Sequence, residues 1–318
     1  MTTTTRATTR TKTRRPKAKT TSGASRPDVY TRVTGRIVEQ LEAGIRPWLK
    51  PWNAEHATGR ITRPLRSSGA PYRGINILML WDAAESAGYG CPIWLTFRQA
   101  QELGGHVRKG EKSSPVVYAS RFKKTEADDD GRDVEREIPF LKQYAVFNAE
   151  QCEGLPDQFY ALKQAPNSDI ERIAAADRFC RNTGADIREG GNQACYVQSL
   201  DQIRMPKLET FVDAESHAAT LSHELVHWTK NPARLNRDLG RKKWGDAGYA
   251  MEELVAELGA AFLCADLAIT PDVRDDHADY IGHWLQVLKN DTRAVFSAAS
   301  MASAAVDYLH GLQPKPVE

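Results

Sequence analysis

Residues 220–232, TLSHELVHWTKNP, decide how this chain is read. His223 and His227 are four residues apart, so on a helix they lie one above the other and both imidazoles reach one cation. Glu224, between them, is rotated to the side where a metal-bound water would sit. The surroundings support the helix. Leu221, Leu225 and Val226 supply an apolar side, Asp213 is placed as N-cap with Glu215 in the first turn, and Asn231-Pro232 ends the run.

A catalytic zinc ion needs a third protein ligand and an open position for water. The helix predicted next, GYAMEELVAELGAAFL (248–263), supplies one. Met251, Leu254, Val255, Leu258 and Phe262 form its core face, and Glu253 and Glu257 share a flank with the small residues Ala256 and Ala260. Glu253 is therefore read as the third ligand, and Glu257 as the carboxylate that orients a ligand histidine through its other ring nitrogen. Glu252 points about 100° away around the helix and is the weaker ligand; His277 and His283 are alternatives from a later helix. Zinc would activate a water, with Glu224 as base and then acid. Tyr196 or Tyr249 would assist at the oxyanion, and the strand in ACYVQSLDQIRMP (194–206) would offer its edge to an extended peptide. The expected substrate is a protein whose identity these residues do not specify.

The chain has 318 residues and a net charge of +2, and its length allows two domains. That small net charge hides a division. Residues 1–125 carry 23 basic and 8 acidic groups, a net +15, and residues 126–318 carry 20 basic and 33 acidic groups, a net −13. Lys and Arg stabilise a complex most where they replace counterions condensed on phosphate, so the first half is expected to meet a polyanion. No stretch of about 18 apolar residues is present to cross a bilayer, so no membrane partner is expected. The opening 26 residues hold ten Thr, eight Lys or Arg and no acid; they read as a disordered tail and not as a secretory signal. Cys91, Cys152, Cys180, Cys195 and Cys264 are scattered and form no C-x-x-C pair, which suits free thiols in a reducing cytoplasm.

From Pro27 onward, Val33, Ile37 and Leu41 mark a helix stopped at Gly44, and 75–87 and 96–103 read as two more. Strands at 115–118 and 144–147 are expected to flank a long solvated loop carrying the acidic spacer 126–137. Basic residues interleaved with aromatics in loops suit single-stranded DNA, whose bases stack on rings while Lys and Arg track phosphates. Trp48, Trp52, Tyr72, Arg73 and Asn76, with Arg108, Lys109 and Lys112 in GGHVRKGEK, are the candidate DNA contacts.

Several segments in one order resemble ArdC-type antirestriction proteins. In the first half these are PWLKPWN (47–53), PYRGIN (71–76), WLTFRQAQELGGHVRKGEKS (94–113) and VFNAEQCEGLP (146–156). In the second they are DQIRMP (201–206), LSHELVHWTKNPARLNRD (221–238), YAMEELVAELGAAFL (249–263) and YIGHWLQVLKND (280–291). The resemblance implies an α+β chain with a single-stranded-DNA-binding domain at 27–154 and a zincin-like, gluzincin-type metallopeptidase domain at 155–311, with tails at 1–26 and 312–318. It implies a role on conjugative plasmids and other mobile elements, shielding entering DNA from restriction. It also implies ligand roles for His223, His227 and Glu253 and the catalytic role for Glu224. Glu257 stands where related zincins often use Asp or Asn, and neither the Thr-rich tail nor the acidic spacer has a counterpart in the family pattern.

Overall fold

The computed structural model describes residues 28–49, 62–127, 133–160, 169–240, 246–270 and 278–315; the Thr-rich tail, Trp52, His277 and residues 128–132 of the acidic spacer lie outside the described residues. Asp28 starts helix α1 (Val29–Glu42) by accepting the Thr31 N–H at 2.7 Å. Its buried side is Val33, Ile37 and Leu41, and the chain leaves at Gly44, whose φ of 74° suits a residue without Cβ. Helix α2 (Ile75–Ala87) buries Ile75, Ile77, Leu78, Leu80 and Trp81, more than one face, because it is covered from both sides. Helix α3 (Phe97–Glu102) opens with a capping box between Thr96 and Gln99.

These helices pack around a four-stranded sheet in the order β1 (Leu65–Arg66), β2 (Ile93–Leu95), β5 (Asp133–Asn148), β4 (Ser114–Ala127). Strand β3 (His106–Val107) pairs separately with β6 (Cys152–Glu153). The expected long loop between two short strands is instead an antiparallel ribbon. Strands β4 and β5 stay in register from Ser114↔Val146 to Ala127↔Asp133, taking in most of the acidic spacer. Beyond the core Lys123, Thr125, Glu135 and Glu137 are exposed and polar, so the apolar alternation that marks a half-buried strand is missing there. Cross-strand backbone bonds and opposite charges hold it instead, as at Lys123 Nζ–Glu135 Oε2, 2.8 Å.

The second half begins with α4 (Asp169–Asn182) and a three-stranded sheet of β7 (Asp186–Glu189), β9 (Gln202–Met205) and β8 (Cys195–Val197). β7 runs parallel to the central β9, and β8 is antiparallel at the edge. Among the described residues four helices follow: α5 (Ala214–Trp228), α6 (Ala247–Leu267), α7 (Ala278–Asn290) and α8 (Ala294–Gly311). Helix α6 is buried almost all round and runs close to α5 at Gly259, where a Cβ would stand 2.7 Å from Val226 Cγ2. That approach requires a residue without Cβ.

One apolar cluster runs through both halves, from Val33, Trp48, Ile77 and Trp81 to Leu225, Phe262, Trp284 and Val306. Trp81 and Phe262 meet edge to face across the junction, ring centroids 5.8 Å apart. The two halves thus share a core. All five cysteines are free, and burial pushes the Cys180 and Cys264 thiols up to about 12, which leaves them inert. No helix among the described residues is long and apolar enough to cross a membrane.

Candidate metal centre

Asp213 caps α5 by accepting the Ser216 N–H at 2.7 Å, and the Thr229 hydroxyl donates to the Val226 carbonyl at 2.6 Å near its end. Between these ends the helix is regular, so the i, i+4 spacing of His223 and His227 becomes geometry: their Nε2 atoms lie 3.1 Å apart. Helix α6 brings Glu253 Oε2 to 3.5 Å from each of those nitrogens. Ligands about 2.0–2.1 Å from a tetrahedral ion are separated by about 3.3 Å, so these three atoms form one face of such a site. Among the described residues this is the group of His, Cys, Asp and Glu whose ligand atoms converge. Two imidazoles and a carboxylate suit a divalent cation.

Each imidazole is aimed by a further carboxylate of α6. Glu257 Oε1 lies 3.3 Å from His223 Nδ1, and Glu252 Oε1 lies 2.9 Å from His227 Nδ1. Glu252 is not among the converging ligands; it reaches the other ring nitrogen of His227 because the two histidines stand a turn apart along α5 and present their Nδ1 atoms to different sides of α6. Arg237, in the segment after α5, clamps Glu252 with Nε at 2.8 Å and Nη2 at 2.8 Å, and donates to the Val226 carbonyl at 3.0 Å. Nothing local in the sequence marks Arg237; the only signal is that a carboxylate buried like Glu252 requires a cation.

Electrostatics favour positive charge in this place. Burial alone would lower the His223 pKa, but its bonds to Glu253 and Glu257 outweigh that and raise it to about 10. His227 is raised for the same reason, with Glu253 the strongest influence after burial. Burial would raise Glu252, yet Arg237 and His227 hold it at about 2. The carboxylates that draw protons onto the imidazoles also draw a divalent cation, whose binding releases those protons.

Glu224 is 3% exposed, on α5 between the ligands. The edge strand β8 packs against α5, the helix that carries it. The Tyr196 hydroxyl is held by Asp201 (2.9 Å) and Asn231 (3.0 Å), and the Tyr249 hydroxyl by that of Tyr280 (2.8 Å). His283 lines a separate cleft with Asp246 and Asp291, away from the converging ligands.

The candidate DNA contacts are divided between core and surface. Trp48 is 1% exposed, packs edge-on to Trp284 and donates from Nε1 to Glu257 Oε2 at 3.3 Å. It cannot stack on a base; its loop looked open only because the second half of the chain, which covers it, is remote in sequence. Tyr72 is buried with the Arg66 guanidinium over its ring. Asn76 pins the Val117 backbone, accepting from its N–H at 2.7 Å and donating to its carbonyl at 2.8 Å. These three serve the fold. Arg73 is ion-paired with Asp307 of α8. Arg108 pairs with Glu111 at 2.7 Å, and Lys109 and Lys112 are exposed in the same turn.

Comparison with known proteins agrees with this arrangement. The N-terminal domain of anti-restriction factor ArdC matches residues 27–147, and the zincin-like metallopeptidase family matches residues 174–301. The antirestriction protein ArdC of plasmid R388 is 44% identical in its metal-free crystal structure, with a TM-score of 0.75 over 90% of this chain and 97% of that one. Its Mn(II)-bound structure gives 43% identity, a TM-score of 0.71, and coverage of 90% of this chain and 98% of that one. The protein y4eC of Sinorhizobium fredii is 42% identical over 90% of this chain and 92% of its own length. The DNA primase TraC of Escherichia coli is 35% identical over 91% of this chain, which spans 28% of TraC. With the converging ligands of α5 and α6 behind it, this similarity over nearly the whole described chain places the protein in the ArdC family of antirestriction proteins.

Proposed function

We propose that the protein binds single-stranded DNA through residues 27–154 and cuts a protein substrate at the α5–α6 centre, serving antirestriction during transfer of a mobile element. The observation that carries the proteolytic part is Glu224, buried between two histidines whose Nε2 atoms converge with Glu253 Oε2, next to an edge strand. A divalent ion held there, with zinc the proposed resident, supplies Lewis acidity that lowers the pKa of water to about 7 and polarises a peptide carbonyl. Glu224 accepts the proton of the attacking water and returns it to the leaving amine. Glu252 and Glu257 keep the imidazoles aimed, and Arg237 keeps Glu252 aimed in turn. The outer edge of β8 supplies backbone N–H and C=O groups to an extended peptide.

Comparing Glu224→Gln with wild type tests this reading. The variant should retain metal and DNA binding and lose cleavage of a casein-type substrate in the presence of oligonucleotide. It should also lose protection of transferred DNA. If protection survives undiminished while cleavage is lost, proteolysis is not what protects the DNA, and binding alone carries the function.

A further inference from the structure

The β4–β5 ribbon is buried at its foot, where Val116, Val117 and Val146 join the core, and beyond the foot one of its sides carries exposed rings. Alternation along the strands, with the register Val116↔Tyr144, Tyr118↔Lys142 and Ser120↔Phe140, puts these six residues on one side. The other side holds Val117, Leu141 and Gln143. Val117 is buried and bonded to Asn76, Leu141 packs against the core, and Gln143 accepts from Arg32 at 2.9 Å. On the outer side Tyr118 is 53% exposed and Tyr144 46%. The Tyr118 and Phe140 rings lie 6.4 Å apart, and Lys142 Nζ stands 5.6 Å from the Phe140 ring centroid.

The ring-bearing stretch of the outer side is free of acid. None of the eight residues paired on the outer side from Ser114↔Val146 to Ser120↔Phe140 is acidic. Glu135 and Glu137 pair with Thr125 and Lys123, which belong to the other side, and Glu135 is bonded there to Lys123. The turn carrying exposed Lys109 and Lys112 runs straight into Ser114 at the foot of the ribbon. Within this stretch the outer side thus combines aromatic faces with positive charge and carries no carboxylate. Tyr118, opposite Lys142, is diagonal to both Phe140 and Tyr144, and such cross-strand diagonals span about 7–8 Å, a step that lets successive rings meet successive bases of an extended strand. A duplex presents no free base faces.

We propose that this outer side of the ribbon is a stacking platform for single-stranded DNA. Tyr118, Phe140 and Tyr144 take the bases, and Lys142, with Lys109 and Lys112, meets the backbone. The assignment rests on the reading that the chain binds single-stranded DNA, and it names where.

Fluorescence anisotropy of a labelled oligothymidylate with the full chain tests it. Stacking is worth about 1–3 kcal/mol per base, so Tyr118→Ala and Tyr144→Ala should each weaken binding by about fivefold to a hundredfold, while Tyr118→Trp holds affinity. Lys142→Ala should lower the slope of log affinity against log salt by about 0.7. Melting temperature and metal content should not move. Wild-type binding with both alanine variants at wild-type affinity would overturn the ribbon assignment and leave the DNA reading standing. Failure of the wild type to bind would remove both. Binding of oligouridylate in preference to oligothymidylate would reassign the surface to RNA, and loss of affinity for duplex and single strand alike would contradict stacking.

Discussion

The α5–α6 pair and the β4–β5 ribbon solve opposite problems. In the first, the groups behind the ligands are buried and engaged: His223 and His227 each have a carboxylate on Nδ1, Glu252 has Arg237, and Glu257 has Trp48. In the second, large rings and a lysine are left in water. Chemistry at a metal needs ligands fixed before the ion arrives, and in a water-poor interior that rigidity comes with high cost for any missing partner. Recognition of a flexible polyanion needs reachable surface, and tolerates loss of one contact. Substitutions in the pair should therefore abolish function, and those on the ribbon should grade it.

The largest effect is expected at Glu224. Glu224→Gln should reduce turnover by about a hundredfold to ten-thousandfold with metal content intact, read from peptide cleavage and elemental analysis. Next comes the outer carboxylate of His227. Arg237→Ala should weaken metal affinity by about tenfold to a hundredfold in competition with a chromogenic chelator, and Arg237→Lys should recover only part, because a lysine cannot replace the two-pronged contact. A larger residue at the closest approach of the helices is predicted to do less. Gly259→Ala should cost about 1–3 kcal/mol in denaturant unfolding, since Val226 must move to admit the Cβ.

Acid should separate the two regions further. The Glu252 carboxyl, held at about 2 against an ordinary 4.5, contributes stability that is present above 4.5 and lost as pH falls through about 2. The metal-free chain should lose melting temperature over that interval, and Glu252→Gln should flatten the loss. The smallest effect belongs to the surface: Lys112→Ala should lower the salt slope of DNA binding by about 0.7 with no change in melting temperature. A large melting shift there would break the contrast between buried and exposed function.

What the sequence disclosed of each region follows from how local its signal is. The i, i+4 histidines and the Glu253–Glu257 flank are spacings within single helices, and a single helix can be read. The place of Glu252 behind His227 is not legible in the sequence, because it depends on how α6 faces two imidazoles a turn apart on another helix. Arg237 had no pattern at all. Trp48, Tyr72 and Asn76 looked like exposed binding residues because their covers, Trp284 and Glu257 for Trp48 and β4 for Asn76, are distant along the chain. The ribbon's length is not legible because Lys123, Thr125, Glu135 and Glu137, which it pairs, are polar and exposed and carry no apolar alternation. Its outer face became visible only through register, since Phe140, Lys142 and Tyr144 share a side with Tyr118 by pairing and not by sequence neighbourhood.

The central claim is that α5 and α6 together hold one divalent ion. Elemental analysis of the full chain after saturation with zinc or manganese and desalting, beside a His227→Ala variant that melts cooperatively, tests it most directly. One ion per wild-type chain and none in the variant is the predicted result. A wild-type chain that retains no ion, or a variant that retains it undiminished, would contradict the account.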